Sequence, residues 1–493
     1  MSEMTTMARA QAEGAAAIET AARSAQAAPQ ARGQEAQQAT QGLAQASGRA
    51  GAAASAASGE REQWAQERLE LRGQGEPPRL WGRISRLRLS RGAAFADVVS
   101  EGALWQIAAL AQRRPEAFAA LGECVCGDLV EAVGAWESTR SGDRALFCDR
   151  LVRQAACATA FPSWMEPPTE ESAAERPEMA MASDPRRQRW IWGRMRMVRG
   201  LRAWADAEGL WEAPTPILSS CASGAAATPF RADWRAGNRE LSLRVAPENA
   251  LVRLAVAGVE ALYEMGPAFR NEGVSRRHHP EFWILEAYRV GWSGADALER
   301  CQEAMRAACR AAGGREPGAF AEMGVREALE RCGVPAARFE DEQWLREALA
   351  GRGFAADPDP EARLWQALDE LCELPEEPLA LTGQPVSMSP LAALQAPGSA
   401  RCERFELFLG GMEISNGYAQ LRDAAEQRRR FEEQAERAGA GIEALAADEA
   451  YLRAMELGMP AVGGFGIGVD RLAQWSLGAP TIRHVLPFPL RGA

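Results

Sequence analysis

The chain has 493 residues, of which 47% are hydrophobic and 25% charged, with a formal net charge of -11. This length and composition suit two or three globular domains. Because no apolar run approaches about 18 residues and the N-terminus lacks a charged-then-apolar signal, we expect a cytoplasmic protein with no membrane span. Ten scattered cysteines and three histidines argue against a disulfide framework and against structural zinc.

All 56 positively charged side chains are arginines, because the sequence contains no lysine. This excludes a phosphate-loop lysine, a lysine Schiff base and a lysine general base. Anion binding must then rely on arginine, backbone amides or metal ions. The negative net charge argues against indiscriminate nucleic-acid binding, but a local stripe of arginines can still hold RNA.

Residues 1 to 66 are rich in alanine, glutamine, glycine and serine and have almost no aromatic side chains. Such a composition cannot bury a core, so we expect a disordered or weakly helical extension. An arginine-rich transit peptide is the alternative, and the glutamates of the segment count against it.

Residues 67 to 160 show the pattern of a small β-barrel. The short strand-like runs are Leu80 to Ile84, Ala93 to Val99, Leu129 to Val133 and Arg144 to Cys148. A helical pattern extends from Leu104 to Leu121, and five short strands with an intervening helix are typical of barrels that bind oligonucleotides. Arg88 and Phe95 lie at its first two strands and Asp143 in a turn, which indicates RNA binding; a merely solvated arginine face is the alternative.

The second half of the chain begins after a linker. Prolines and acids between 161 and 185 predict the linker, and helical periodicity follows from Arg186 to Glu208. We expect one domain from 186 to 493. Stretches rich in alanine, glutamate and arginine from about 294 to 375 predict a helical insertion within it.

Residues 265 to 288, MGPAFRNEGVSRRHHPEFWILEAY, predict two strands joined by a polar loop. Because side chains alternate along a strand, Arg270 and Glu272 should share one face of the first strand. Phe282, Glu286 and Tyr288 should share one face of the second. Half-buried strands rarely carry inward carboxylates without a function, so the segment indicates a nucleotide site. An ordinary hairpin with a charged turn is the alternative.

Residues 404 to 421, RFELFLGGMEISNGYAQL, place Glu406 and Glu413 on either side of a Gly-Gly break. Two acids with no cation partner nearby indicate Mg²⁺ bridging phosphates, because magnesium needs only one or two protein carboxylates. A pair of surface acids is the alternative.

Residues 463 to 472, GGFGIGVDRL, contain a Gly-x-Gly-x-Gly pattern near the C-terminus. No βαβ unit follows, which argues against a dinucleotide-binding fold. The glycines instead allow the backbone to approach a ring or phosphate closely, while Arg471 supplies charge.

Together these segments resemble a class II aminoacyl-tRNA synthetase, and specifically the lysyl-tRNA synthetase family, over residues 79 to 493. GLWEAPTPIL (209 to 218) is similar to the first, dimer-forming motif of that class, and FRNEGVSRRHHPEFWILEAY (269 to 288) to the second. GGFGIGVDRL with TIRHVLPFP (481 to 489) is similar to the third. The resemblance implies an α+β homodimer: an OB-fold anticodon-binding domain and an antiparallel catalytic sheet flanked by helices, acting on ATP, lysine and tRNA.

The resemblance also implies roles around the nucleotide. Arg270 would bind the ATP α-phosphate and the amino-acid carboxylate, Phe282 would stack on adenine, and Arg471 would hold the far side of the nucleotide. Glu272 and His278 would lie beside adenine and the phosphates. The expected catalytic residues are Arg270, Glu272 and Arg471.

Further residues are assigned by the same resemblance. The amino-acid pocket would comprise Gly224, Glu248, Arg270, Glu286, Tyr288, Asn416 and Gln420. Glu406 and Glu413 would hold Mg²⁺. Arg88, Phe95 and Asp143 would contact the anticodon.

Two positions depart from the family pattern. The segment matching NGYAQL ends in the family with a glutamate that meets the lysine ε-ammonium, whereas this chain has Gln420. Losing a charge-assisted contact costs about 1.5 to 3 kcal/mol, so either Glu286 compensates or another amino acid is preferred. His279 replaces the asparagine usual in the second motif. Further alternatives are a paralogue that modifies a protein or lipid acceptor and a non-catalytic RNA-binding relative.

Overall fold

The computed structural model describes residues 77 to 490, except 164, 167, 222 to 226 and 439 to 447. The predicted extension at residues 1 to 66 and the predicted site residue Gly224 lie outside the described residues. Contacts divide the chain into Met1–Arg79 and Leu80–Ala493, and the elements below belong to the second unit apart from the first residue of the first strand. Within the described ranges, no helix has the length and apolar character needed to cross a membrane.

A closed five-stranded barrel forms the first part of this unit. Its elements are β1 (Arg79–Leu89), β2 (Ala93–Ser100), β3 (Ala103–Leu110), helix α1 (Pro115–Gly122), β4 (Leu129–Ser138) and β5 (Arg144–Ala155). The strands follow the order β1-β2-β3-β5-β4 around the barrel. Their inward side chains, including Ile84, Ile107 and Leu146, pack with Leu121 of α1 in one core.

The predicted helix from Leu104 to Leu121 is wrong in its first half, where β3 forms. Glu101 and Gly102 both have positive φ angles, 48° and 80°. This is the backbone of the two-residue turn that suits a β-hairpin, so β3 folds back onto β2. The run from Trp105 to Leu110 is almost entirely apolar, and periodicity alone cannot separate a buried strand from a buried helix in such a run.

The second part of the unit contains the remaining helices. They are α2 (Glu170–Glu175), α3 (Pro177–Ser183), α4 (Pro185–Ala207), α5 (Glu248–Val256), α6 (Gly294–Ala312), α7 (Val325–Arg331), α8 (Glu342–Ala350), α9 (Pro360–Leu371), α10 (Ala424–Ala438), α11 (Glu449–Glu456) and α12 (Val469–Ser476). The short helices α2 and α3 lie in the segment predicted to be a linker. Asp184 caps the long helix α4 by accepting a backbone hydrogen bond from its first turn.

The helices surround a large mixed sheet. The strands are β6 (Trp211–Glu212), β7 (Leu218–Ser219), β8 (Arg231–Trp234), β9 (Arg239–Leu243), β10 (Ala261–Phe269), β11 (Glu281–Val290), β12 (Ala321–Met323), β13 (Leu379–Thr382), β14 (Arg404–Leu409), β15 (Met412–Ala419) and β16 (Val462–Gly468). Eight of them form one sheet in the order β12-β13-β14-β15-β16-β11-β10-β6, and β7-β9-β8 form a small second sheet.

The large sheet is antiparallel over its six central strands, β13 to β10 in that spatial order. Only the edge strands β12 and β6 pair in parallel with their neighbours. A closed barrel followed by a mainly antiparallel sheet with flanking helices confirms the predicted α+β fold class.

Helices α4, α6 and α12 pack against the large sheet and share one core with it. Helix α6 begins the predicted helical insertion, yet its Cys301, Met305 and Ala308 belong to this core. Helices α7, α8 and α9 form a separate cluster around Trp365. The segment predicted as one insertion therefore contributes to two cores.

Candidate active site

A cleft of about 480 Å³ lies on the large sheet. On β11, Leu285 and Ala287 enter the core, whereas Glu286 and Tyr288 line the cleft, as alternation along a strand requires. On β16 the corresponding cleft residues are glycines. A Cβ at Gly464 would lie 2.1 Å from the Tyr288 ring, so the glycine makes room for that ring.

The hairpin of β10 and β11 has the predicted strand-loop-strand form, in register from Ala261↔Arg289 to Phe269↔Glu281. The prediction that Arg270 and Glu272 share one face of the first strand is wrong, because β10 ends at Phe269 and both residues lie in the loop. Both still line the cleft. A hydrogen bond of 2.9 Å from the Arg270 N–H to the Pro280 carbonyl closes the loop.

Arg270 is the cation best placed to meet an anion in the cleft. Its guanidinium lies over the Phe282 ring, 5.1 Å from the centroid. Its Nε is buried and has no hydrogen-bond partner in the described part of the chain. Burial lowers the pKa of Arg270 below its ordinary value, and the attraction of the nearby Glu413 and Glu272 carboxylates does not offset this desolvation.

The Asp470-Arg471 pair joins the start of α12 to the cleft. The buried Asp470 carboxylate accepts from Arg194 Nε and, at 2.8 Å, from the Trp283 N–H. Arg471 turns the other way: its Nη1 donates to the Glu413 carbonyl at 3.0 Å and lies 3.4 Å from Glu413 Oε2. Asp470 thus connects α12 with α4 and β11. Arg471 places a positive charge at the wall of the cleft.

Two buried acids, Glu248 and Glu286, lie at one end of the cleft. Glu248 begins α5, and Glu286 lies in the middle of β11. Neither forms an ion pair in the described part of the chain. Burial raises the pKa of Glu248, and burial with the charge of Glu248 raises the pKa of Glu286 well above its ordinary value. This end therefore accommodates positive charge.

Gln420 does not line the cleft, contrary to the role predicted for it. It is 1% exposed and lies behind Glu248, to which its amide nitrogen donates at 2.8 Å. Asn416, in contrast, does line the cleft. Strand β15 thus contributes Asn416 to the cleft directly, whereas Gln420, the residue that follows the strand, lies behind Glu248.

The two predicted magnesium ligands have arginine neighbours, and the expectation of two acids without a cation partner is wrong. Glu406 pairs with Arg404 at 2.7 Å, and Glu413 lies beside Arg471. Arg404 is two residues from Glu406 and therefore on the same strand face. Burial still raises the pKa of Glu406 to about 7. Glu413 lines the cleft, and Glu406 lies deeper.

Several residues that line the cleft were not predicted from the sequence. Arg404 donates to Asn416 Oδ1 at 3.1 Å as well as to Glu406, so it connects both predicted subsites. Its position two residues before Glu406 was the available signal. Tyr418 lines the cleft two residues after Asn416, and alternation could have identified it. Phe431 of α10 also lines the cleft, but nothing in its local sequence indicates this.

The histidines of the loop have different environments. His278 lines the cleft, and its Nδ1 is 2.8 Å from the Ser275 hydroxyl. Partial burial and the charge of Arg471 lower the pKa of His278. His279 is buried, and its Nε2 accepts a hydrogen bond of 3.0 Å from the Leu490 N–H. His279 therefore holds the C-terminal segment beside the loop.

In the barrel, Arg88 and Phe95 are directly opposite each other on β1 and β2. Arg88 pairs with Asp97 at 3.0 Å and keeps part of its side chain exposed. Asp143 lies in the exposed turn between β4 and β5, where it accepts from the Ser141 hydroxyl at 2.6 Å. The structure thus brings together two of the three predicted anticodon residues.

The sequence of this site and its surroundings matches a known protein family. A profile described as "tRNA synthetases class II (D, K and N)" matches residues 170–492, well over half of the chain. The chain belongs to this family.

Similar proteins include lysine–tRNA ligases. That of Aromatoleum aromaticum is 34% identical over 393 residues, which cover 74% of this chain and 76% of the relative. That of Xanthomonas oryzae pv. oryzae is 30% identical over 449 residues, 87% of this chain and 88% of the relative. These matches confirm the predicted lysyl-tRNA synthetase family and support aminoacyl-tRNA ligase activity, with ATP as a substrate.

The chain is also similar to a relative of a different kind. The lysylphosphatidylglycerol biosynthesis bifunctional protein LysX of Mycobacterium avium is 34% identical over 436 residues. The match covers 83% of this chain but only 37% of that protein. Synthetase sequences of this family thus occur within larger proteins.

Proposed function

We propose that the protein is a lysine–tRNA ligase that activates lysine as lysyl-adenylate and transfers it to the 3′ end of tRNA. The observation that carries the proposal is the charge layout of the cleft. Arg270 has an unpartnered buried nitrogen, and the nearby Glu248 and Glu286 have no ion-pair partner among the described residues. This layout complements the carboxylate and the two ammonium groups of lysine.

In the first step, the lysine carboxylate attacks the α-phosphorus of ATP in line, and pyrophosphate leaves. Arg270 would hold that carboxylate and the α-phosphate together, and Arg471 would bind the far side of the nucleotide. Glu272 and His278 would lie beside adenine and the phosphates. The attacking carboxylate is already ionised, so the step needs no protein base, and positioning with charge neutralisation supplies most of the rate.

Phe282 is the proposed stacking surface for adenine. The Arg270 guanidinium lies over this ring, 5.1 Å from its centroid. A cation and a purine can both use the face of an aromatic ring. Binding of ATP would therefore involve Arg270 and Phe282 as one unit.

In the amino-acid pocket, Glu248 would bind the α-ammonium, and Glu286 with Tyr288 would complete the pocket beside Asn416. The Tyr288 hydroxyl donates to Glu286 Oε2 at 3.0 Å, which leaves Oε1 free to accept from a substrate. Lysine would thus find acceptors for both of its ammonium groups.

The residues fit a magnesium ion that binds together with ATP. Glu406 and Glu413 offer carboxylate oxygens from neighbouring strands, and Mg²⁺ usually takes one or two protein carboxylates with phosphate oxygens and water. No group of three or more acidic, histidine or cysteine side chains suited to a metal occurs in the described ranges. When bound, the ion would neutralise charge on the phosphates.

The barrel is the proposed anticodon-binding domain. Arg88 and Phe95 offer a cation and an aromatic ring on adjacent strands, the combination that binds backbone and base of single-stranded RNA. Asp143 in its exposed turn would contact a base edge. The partner RNA is tRNA, and the chemistry would occur in the other half of the unit.

We also propose a homodimer. The segment similar to the dimer-forming motif exposes large apolar side chains: Trp211 is 75% exposed, Leu218 50% and Ile217 41%. We take these exposed apolar side chains as the surface that a second copy of the chain would cover. The protein is proposed to act in the cytoplasm.

A second candidate function is transfer of an activated amino acid to an acceptor other than tRNA, or activation of an amino acid other than lysine. The match to LysX favours the first version, and the departure from the family pattern at position 420 is the reason to test the second. Both keep the ATP-dependent step and differ in the final acceptor or the amino acid.

The test is lysine-dependent charging of tRNA by the natural chain and by Arg270→Ala. We expect charging by the natural chain and a loss of at least about a hundredfold in the variant. Arg331→Ala, which removes an exposed arginine of α7, is the matched control and should retain full activity. Lysine activation without tRNA charging would favour another acceptor, and equal activity of Arg270→Ala would contradict the proposal.

A further inference from the structure

Both polar atoms of the Gln420 side chain form hydrogen bonds with other side chains. Its amide nitrogen donates to Glu248 Oε1 at 2.8 Å, and the Tyr418 hydroxyl donates to the same oxygen. Behind it, the Tyr451 hydroxyl donates to Gln420 Oε1 at 3.3 Å. The side chain is buried and does not line the cleft. A substrate in the cleft would meet Glu248 and not Gln420.

This arrangement requires a side chain at position 420 that both donates and accepts. Glutamine does both, whereas an ionised glutamate only accepts. A glutamate here would place a second buried carboxylate against Glu248, and one of the two would have to take up a proton. The glutamine amide therefore forms both hydrogen bonds at this position, whereas an ionised glutamate could form only the one that it accepts.

We infer that Gln420 is a positioning residue for Glu248, and that the substrate's side-chain ammonium is bound by Glu286 beside Tyr288. The inference rests on the proposed function and narrows it. The substrate is an α-amino acid with one side-chain ammonium, even though the glutamate of the family pattern is missing.

The charges of the cleft support this assignment. Glu406 and Glu413 each have an arginine neighbour, whereas Glu248 and Glu286 form no ion pair in the ranges that the structure describes. These two buried carboxylates match the two ammonium groups of a diamino acid, and Arg270 matches its carboxylate. A neutral amino acid would leave one buried carboxylate without a counter-charge, which is costly.

The experiment uses the full chain and the variants Gln420→Glu and Gln420→Leu. Lysine binding is measured by calorimetry, and KM and kcat by lysine-dependent ATP–pyrophosphate exchange, from about pH 6 to about pH 8.5. Thermal unfolding checks that each variant folds. The charged and titratable groups around position 420 and Glu248 are Glu286, Tyr288, Tyr418, Tyr451, Asp448 and Arg404.

Gln420→Leu should raise the Kd and KM for lysine about tenfold at every pH, because Glu248 loses a donor to its charged form. Gln420→Glu should resemble the natural chain near pH 6, where a protonated glutamate donates as the amide does. Its KM should rise about tenfold by about pH 8.5 as that proton is lost. A side chain with only a packing role would not produce this pH dependence.

The opposite result would overturn the inference. Tighter lysine binding by Gln420→Glu than by the natural chain at about pH 8.5 would show that position 420 faces the ammonium. Absence of lysine binding to the natural chain, or exchange driven by a neutral amino acid, would also overturn it. Lysine binding with the predicted variant effects but without exchange would contradict the proposed ligase function and leave this inference supported.

Discussion

Glu264 and Glu286 face each other across β10 and β11, and both are buried. Their partners differ. Glu264 accepts from Arg244, and also from the N–H and the hydroxyl of Thr215 at 3.1 and 2.6 Å. Glu286 accepts a hydrogen bond from the Tyr288 hydroxyl and has no arginine partner in the described part of the chain.

This difference separates a structural acid from a substrate-binding acid on the same sheet. A buried carboxylate with an arginine and two further donors recovers much of its desolvation cost within the folded protein. A buried carboxylate with one neutral donor does not, and burial accordingly raises the pKa of Glu286 well above its ordinary value. The folded chain therefore retains a cost at Glu286 that a bound ammonium can offset.

The largest expected effect follows from removing Glu264, the carboxylate that has an arginine partner. Glu264→Gln leaves the buried Arg244 charge without its counter-ion, so the free energy of unfolding should fall by about 3 to 5 kcal/mol. Urea denaturation measures this. Glu260→Gln, at an exposed position of the neighbouring turn, is the control and should leave stability unchanged. Equal stability of the natural chain and Glu264→Gln would show that the ion pair is not structural.

Glu286→Gln tests the carboxylate that has no arginine partner among the described residues. The variant removes a charge that the lysine ammonium needs, so kcat/KM for lysine in ATP–pyrophosphate exchange should fall by about tenfold to a hundredfold. Its free energy of unfolding should rise by about 1 kcal/mol, because a desolvated charge disappears. A variant that loses both stability and activity would contradict the assignment of Glu286 as a substrate-binding acid.

The pH dependence of stability sharpens the same comparison. The pKa of Glu286 is higher in the folded chain than in the unfolded chain, where it is about 4.3. The folded state then holds more protons, so the natural chain loses stability as pH rises above about 4.3, until the folded pKa is passed. The stability advantage of Glu286→Gln should grow over that window in urea denaturation at several pH values. A constant difference would place the origin of the effect elsewhere.

The last prediction concerns the barrel. Arg88→Ala and Phe95→Ala should each weaken tRNA charging about fivefold to a hundredfold, by removing one phosphate or one stacking contact, and leave lysine-dependent exchange unchanged. Arg331→Ala removes the same charge outside the barrel and is the control. Equal losses of charging and exchange would show that these barrel residues do more than bind RNA.

Sequence patterns were sufficient to predict structure where the pattern and its boundaries lie within one short segment. The β10–β11 hairpin was predictable because its two apolar runs and the polar loop between them lie within one short segment. The β3 strand was not, because its apolar run fits a helix equally well and the turn at Glu101 and Gly102 decides between them. Local chemistry thus predicts a strand more reliably when a polar loop marks where it ends.

The site was less predictable where residues from distant elements meet. Arg471 of α12 beside Glu413 of β15, and Gln420 behind Glu248 of α5, depend on sheet order and register. Residue types alone cannot show whether a buried acid has a partner. The resemblance to the family drew attention to position 420. The contacts show that the Gln420 amide donates a hydrogen bond to Glu248.

The most direct test of the central claim is ATP–pyrophosphate exchange by the natural chain with each standard amino acid in turn. The two buried cleft carboxylates that have no ion pair among the described residues, Glu248 and Glu286, predict exchange with lysine and little with any neutral amino acid. Exchange driven mainly by a neutral amino acid, or by none, would contradict the account of this cleft as a lysine-activating site.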